Sequence, residues 1–146
     1  MEHLEKLTKL NDICLFVSDF ENSLKFYTEK FGFKIKRLQP DPEHANYAEF
    51  VFQGASVTIW AKSGVETVLD PRVLGGTGHR FMIAIKVPAL DDVDRIYEEL
   101  TGRGVTCIMQ PTTYVFGARA SYYQDYEENI WEVFAWESGD GPGLLE

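Results

Sequence analysis

One carboxylate stands in the middle of an apolar strand near the end of the sequence. Residues Ile130 to Trp136 are β-branched or aromatic apart from Glu132 and one small residue, a composition that predicts a β-strand. Glu132 would share its face with apolar neighbours, where a carboxylate is costly to bury unless another group pairs with it. Such a group can serve acid/base catalysis, bind a cation or ligate a metal ion.

The other residues with catalytic potential form no recognisable cluster. The three histidines, His3, His44 and His79, are far apart in the sequence, and no nucleophile comes with a neighbouring base. Cys14 and Cys107 lie in apolar, strand-like runs. This placement predicts reduced, buried thiols and a cytoplasmic location.

The charge balance limits the classes of partner. The formal net charge is −9 and the pI is about 4.8, which argues against nucleic acid, because phosphate binding needs a basic surface. An acidic chain is compatible with a cationic ligand. No apolar run approaches the roughly 18 residues of a membrane-spanning helix, so no membrane partner is expected.

The secondary-structure elements that carry these residues form two similar sets along the chain. The first set is predicted as a strand, a helix, a strand and a hairpin, followed by a long connection: Leu10–Val17, a helix from Ser18-Asp19 to about Lys30, Phe33–Leu38, Tyr47–Gln53, Ser56–Ala61 and the connection Ser63–Gly78. The second set is predicted as Arg80–Val87, the helix Leu90–Gly102, Val105–Met109, the loop Pro111–Gly117, and the hairpin Ala118–Gln124 with Ile130–Trp136.

The two sets superimpose at a constant offset in the sequence. Val17 then matches Val87, and the helix-ending Gly32 matches Gly102. This indicates a tandem duplication of β-α-β-β-β modules, each too small to bury much surface alone. We therefore predict one domain over 1–146, with a first module at about 9–63, a second at about 79–137 and a flexible tail at 138–146.

At these positions the sequence resembles the vicinal oxygen chelate superfamily, which includes glyoxalase I, extradiol dioxygenases, and fosfomycin-resistance and bleomycin-binding proteins. The resemblance extends over roughly 9–137 and is carried by these stretches: Ile13–Asp19, Ser23, Phe26-Tyr27, Gly32-Phe33, Val87, Leu90–Gly104 and the turn and strand Asp125–Glu132. It implies an α+β fold in which two βαβββ modules form a curved eight-stranded mixed sheet around a cleft, with helices on the outer face. It also implies a homodimer.

The enzymes of this family hold a divalent metal with four side chains, and the resemblance places these on Asp12, Thr58, Met82 and Glu132. Only Glu132 is of the expected type, because Thr58 is a weak neutral ligand and Met82 is a soft thioether. We therefore predict no cofactor. If a divalent metal binds, the expected ligands are Glu132, Asp12 and His79, the last through a shift of strand register.

The resemblance implies a cleft whose wall is unusually aromatic. We expect ligand contacts from Asp12, Phe16, Thr58, Trp60, Met82, Tyr122, Glu132, Phe134 and Trp136, with Phe50 and Phe52 as further candidates. A planar or cationic ligand between Trp60 and Trp136 would cover this aromatic surface, and so would the partner surface in a dimer. Asp12 and Glu132 would supply charge, unless they pair with Lys86 or Arg119. The apolar stretch 112–116 is expected in a loop, as a lid over the cleft or a plug within it.

Three functions follow from these expectations. The first is a metal-free binding protein for a small aromatic or cationic molecule. The second is a metal-dependent lyase, isomerase or dioxygenase that uses Glu132, which the metal content of the purified protein would distinguish. The third is metal-free acid/base catalysis by Glu132, which requires that turnover is lost in Glu132→Gln.

Overall fold

The computed structural model describes residues 4–6, 8, 10–74, 81–115 and 117–138. The chain divides into two compact units, a first unit of Met1–Gly76 and a second unit of Thr77–Glu146. Each unit contains one four-stranded mixed sheet.

The first unit follows the predicted β-α-β-β-β order. Its elements are β1 (Asp12–Val17), α1 (Phe20–Lys25) with a π-helical continuation (Phe26–Lys30), β2 (Ile35–Gln39), β3 (Tyr47–Phe50), β4 (Ser56–Ala61) and the short α2 (Lys62–Val65), with 3-10 turns at Leu4–Lys6 and Pro71–Leu74. The spatial order is β1-β4-β3-β2. β1 runs parallel to β4, and the other pairs are antiparallel.

The second unit repeats this topology. Its elements are β5 (Ile83–Lys86), α3 (Leu90–Gly102), β6 (Thr106–Tyr114), β7 (Ala118–Gln124) and β8 (Ile130–Trp136). The order β5-β8-β7-β6, with β5 parallel to β8, is the order of the first unit shifted by four strands. The predicted duplication is therefore present in the strand connectivity as well as in the sequence.

In the first unit, one sheet face packs against the helix and forms the core; we call it the helix face. Leu15, Val17 and Ile59 are buried there, as the alternation of β1 and β4 predicts. Phe50 belongs to this face too, is fully buried, and contacts the Tyr27 ring of the helical segment at 5.5 Å between centroids. Phe50 is therefore not part of a ligand-facing wall, and this candidate was wrong.

In the second unit, the helix face is built around the fully buried Trp131. Trp131 and Val133 lie on it in β8, opposite Tyr123 and Ser121 of β7, and α3 packs against β6, β7 and β8. Arg119 donates from Nε and Nη2 to the two carboxylate oxygens of Asp94 in α3 (2.8 and 2.7 Å). The alternative in which Arg119 neutralises Asp12 or Glu132 therefore loses its support, because Arg119 pairs with α3.

The turn before β8 is organised by a buried carboxylate. Asp125 Oδ1 accepts hydrogen bonds from the backbone N–H groups of Glu127 and Asn129 (2.9 and 2.8 Å). Its Oδ2 accepts from Asn129 Nδ2 (3.0 Å) and from Trp131 Nε1 (3.4 Å). Glu128 takes a left-handed φ of 69° within this turn. These bonds fix where β8 begins and so which of its residues face the helix.

Two predicted loops contain regular structure. Thr112 to Tyr114, expected in a loop, belong to β6, while the structure does not describe Phe116. β6 pairs only with β7 at the sheet edge and is bulged, so Pro111 breaks no second hydrogen-bond ladder. The predicted connection Ser63–Gly78 contains most of α2 and a 3-10 turn, and α2 packs against β4.

Candidate functional site

The predicted ligand residues of the first unit lie on the sheet face opposite the helix face; we call it the site face. The strand register places Phe16 beside Trp60, Trp60 beside Tyr47 and Tyr47 beside Gln39. We call these four residues the aromatic row. Phe16 is 38% exposed, whereas Trp60 and Tyr47 are half-buried and meet edge to face at 6.4 Å between ring centroids. The site face therefore offers aromatic surface to a ligand.

The neighbouring row on the same face is polar. It comprises Cys14, Thr58, Glu49 and Arg37, again by strand register. The hydroxyl of the buried Thr58 donates to Asp12 Oδ2 (3.1 Å), so the structure brings together these two predicted site residues. Burial raises the pKa of the Cys14 thiol, and a hydrogen bond with Thr58 offsets part of that rise. Cys14 is therefore not activated as a nucleophile.

Glu49 is a site-face carboxylate that the sequence analysis missed. It is only 5% exposed, and its charge is compensated by Arg37, whose Nε lies 2.8 Å from Oε1, and by Lys36, whose Nζ lies 3.9 Å from Oε2. The alternation of β3 places Glu49 and Tyr47 on one face and Phe50 on the other. That alternation is the signal in the sequence that could have identified Glu49.

A pocket of about 650 Å³ is lined in part by Trp60, Tyr47 and Gln39 of the aromatic row. The residues that line it are Gln39, Pro40, Asn46, Tyr47, Trp60, Gly64 and Thr67. Backbone hydrogen bonds from Asn46 N to the Gln39 carbonyl (2.9 Å) and from Ala61 N to the Asn46 carbonyl (2.8 Å) hold its rim. A volume of this size suits a small organic molecule. Of these residues only Trp60 was predicted as a ligand contact.

Gly64 lets the Trp60 side chain occupy its position in the pocket wall. A Cβ atom at residue 64 would lie 2.4 Å from Trp60 Nε1 and 2.9 Å from Asn46 Nδ2. Both distances are far below van der Waals contact, so only glycine allows the indole to pack this closely against α2. Trp60 Nε1 and Asn46 Nδ2 therefore both lie beside Gly64, and all three residues line the pocket.

The predicted residues of the second unit also share one face. Tyr122 and Glu132 are paired in the β7–β8 register, and the Tyr122 hydroxyl donates to Glu132 Oε2 (2.5 Å). Burial and this bond to a carboxylate raise the pKa of Tyr122. Phe134 and Trp136 meet edge to face at 5.5 Å. Met82 precedes β5 and is 46% exposed.

The donor set at the family's metal positions is poorly suited to a catalytic divalent ion. Asp12 accepts a hydrogen bond from the Thr58 hydroxyl, and Glu132 accepts one from the Tyr122 hydroxyl. Met82 offers only a thioether. Among the described residues, no group of three His, Cys, Asp or Glu side chains is arranged to hold a metal. His79 lies outside the described residues, so its predicted role stays a prediction.

Comparisons with known proteins agree on the architecture. Residues 9–133 match the profile of the Glyoxalase/Bleomycin resistance protein/Dioxygenase superfamily. The uncharacterized protein YraH of Bacillus subtilis (strain 168) is 28% identical over 130 residues, which cover 86% of this chain and 97% of that protein. Within the part of the chain that the structure describes, no helix has the length and apolar composition needed to cross a membrane.

Solved structures show the same arrangement of elements. The crystal structure of a glyoxalase/bleomycin resistance protein/dioxygenase from Nocardioides superimposes with a TM-score of 0.78 at 28% identity, covering 99% of this chain and 97% of that one. Lactoylglutathione lyase from Agrobacterium tumefaciens gives a TM-score of 0.68 at 13% identity, over 90% and 96% of the two chains. The first likeness confirms the predicted α+β class with eight strands in mixed pairing, which here form one four-stranded sheet in each unit. The second likeness shows the fold alone.

Proposed function

The chain belongs to the glyoxalase/bleomycin resistance protein/dioxygenase superfamily, and from this premise we propose that it binds a small aromatic or cationic molecule without a metal ion. The observation that carries the proposal is the pocket of about 650 Å³ beside the aromatic row of the first unit. Trp60 and Tyr47 form two of its walls at an interplanar angle of 80°, so a planar ring can lie against one and meet the edge of the other.

The chemistry of the possible donors supports a metal-free site. Thr58 and Met82 occupy two of the four positions that bind metal in the family's enzymes, and neither supplies the carboxylate or imidazole that a catalytic Zn, Fe, Mn or Ni ion requires. The remaining two carboxylates, Asp12 and Glu132, already accept hydrogen bonds from neighbouring hydroxyl groups. Neither carboxylate lines the first-unit pocket, so the proposed binding there does not depend on their charge.

Tryptophan fluorescence tests the proposal and also locates the site. A set of small aromatic compounds, half of them cationic, would be screened for a change in emission. We expect that change to disappear in Trp60→Phe and to persist in Trp136→Phe, the matched variant among the predicted ligand contacts of the second unit. A change that disappears only in Trp136→Phe would move the site out of the first unit. A set without any binder would contradict the proposed function.

The expected homodimer and cytoplasmic location stay predictions from the sequence. An elution volume that matches a monomer in size-exclusion chromatography would contradict the dimer. Neither prediction affects the pocket, whose lining residues all belong to the first unit.

A further inference from the structure

The first-unit pocket points to one class of ligand within the proposed function. We infer that it takes an uncharged planar ring system with a carbonyl-type hydrogen-bond acceptor on its edge, rather than a cation. The inference rests on the proposed small-molecule binding and narrows it by charge and by hydrogen-bonding pattern.

The lining of the pocket bears on the charge of the ligand. Among the described residues that line the pocket, none carries a formal charge at neutral pH. The nearest acidic residue along β3 is Glu49, two positions from Tyr47, and its charge is compensated by Arg37 and Lys36. A cation that left water for this pocket would lose its hydration without gaining a counter-charge from the lining, whereas an uncharged ring would lose little.

The aromatic surface gives the same preference. The Arg37 guanidinium carbon lies 5.9 Å from the centroid of the Tyr47 ring, so a protein cation already interacts with the π-system of that wall. Binding of a cationic ligand on that ring face would carry the penalty of displacing this guanidinium, whose own charge Glu49 neutralises. Stacking of an uncharged ring on Trp60 or Tyr47 carries no such penalty.

The hydrogen-bonding pattern selects an acceptor. Trp60 Nε1 can only donate, and it lies with Asn46 Nδ2 within 3 Å of the position that a Cβ on Gly64 would take. In the part of the chain that the structure describes, neither nitrogen has a hydrogen-bond partner. Two N–H donors beside Gly64 in an uncharged pocket suit a carbonyl oxygen on the ligand.

Three probes on one ring system separate the possibilities. Quinoline-2-carboxamide is uncharged, quinoline-2-carboxylate is an anion, and 1-methylquinolinium-2-carboxamide is a cation of nearly the same shape. Affinities would be measured by calorimetry, and the Trp60 indole N–H resonance, assigned with Trp60→Phe, would be followed by NMR. We expect the uncharged amide to bind at least about tenfold more tightly than either ion and to shift that resonance downfield.

A charge substitution in the pocket provides the decisive comparison. Asn46→Asp keeps the side-chain shape but adds a carboxylate. We therefore expect it to reverse the order of affinities, so that the cation binds more tightly than the uncharged amide. Gln53→Glu makes the same change in charge at an exposed residue outside the lining and is expected to leave the order unchanged.

Each remaining outcome overturns the inference. A wild-type protein that prefers the cation or the anion refutes an uncharged ligand, and so does an Asn46→Asp variant that keeps the original order. If none of the three probes binds although other aromatic compounds still quench Trp60, the inference fails while the proposed function survives. If no compound affects Trp60, both fail.

Discussion

Replacement of Gly64 by alanine is the most direct perturbation of the candidate site. The added Cβ would lie 2.4 Å from Trp60 Nε1, whereas non-bonded heavy atoms of this kind pack at about 3.5 Å. The indole must therefore withdraw by roughly 1 Å or α2 must move by the same amount. The Asn46 amide, at 2.9 Å, must also give way. The pocket wall changes although no ligand-contacting atom is removed.

Two opposing terms set the effect of Gly64→Ala on stability. Alanine is favoured over glycine in a helix by at most about 1 kcal/mol, and less in a helix as short as α2. Overpacking of a buried site costs about 1–3 kcal/mol. Because Gly64 is buried and the contact involves an aromatic ring, we expect the second term to win, with a net loss of about 1–2 kcal/mol in the free energy of unfolding.

The assay compares Gly64→Ala with a glycine-to-alanine change that meets no neighbour. Gly102→Ala is the matched control, because a Cβ at the end of α3 has no atom within 4 Å. Urea unfolding would give the stability of each variant, and the Trp60 indole N–H resonance would report the position of the ring. We expect Gly64→Ala to shift that resonance and to weaken binding of the aromatic ligand at least about tenfold, and Gly102→Ala to do neither.

An unchanged Gly64→Ala variant would refute the close packing of Trp60 against α2. If Gly64→Ala leaves the indole resonance, the affinity and the stability unchanged, the close approach of Trp60 to α2 is not a feature of the protein in solution. The site would then not depend on the wall that we have described. A loss of stability with unchanged affinity would keep the packing argument but separate it from binding.

Three further predictions concern the rest of the chain. Asp125→Ala should lower the free energy of unfolding by about 3 kcal/mol in urea denaturation, because four N–H groups lose their acceptor in a buried turn; a loss below about 1 kcal/mol would contradict this. The hydrogen bonds from Arg119 hold the pKa of Asp94 below its usual value. The ionised Asp94 should therefore stabilise the fold fully above pH 4, roughly the pKa of the unfolded state. This stabilisation should be lost as the pH falls through the lower pKa of the folded state. The stability difference between wild type and Asp94→Asn should therefore shrink on acidification, and a difference that stays constant or grows would contradict the assignment. Elemental analysis of protein purified without chelator should find well under one Ni, Zn, Fe or Mn per chain; one tightly bound metal per chain would favour the enzyme alternative that uses Glu132.

The elements that the sequence predicted well are those with strong periodicity and clear ends. The bounds of α3, β7 and β8 agree with the predicted ranges, because an apolar stripe ending at Gly102 and strict alternation from Ile130 leave one solution. The same alternation placed Asp12 with Phe16, and Tyr122 with Glu132, on their respective faces. Local pattern therefore determines which way a side chain in a strand points.

The pocket could not be predicted in the same way. Its wall combines the β2–β3 turn, one aromatic residue of β4 and the short helix α2, and no periodicity links Asn46 to Gly64. Glycine in a predicted connection suggests a turn, whereas here it permits close packing of an indole. Pro111 likewise predicts the start of a loop, whereas β6 continues through it, because the sequence does not reveal which strand lies at the edge of a sheet.

The parallel pairing of β1 with β4, and of β5 with β8, has a consequence for how the chain folds. In each unit the first strand pairs with the last, so the sheet cannot be completed until the whole repeat has been synthesised. Contacts between residues so distant in the chain form slowly, because loop-closure entropy is spent before they contribute any energy. During synthesis, each half should therefore stay open at the edges of its first and third strands until its final strand emerges from the ribosome. The protein should be most vulnerable to aggregation in that interval.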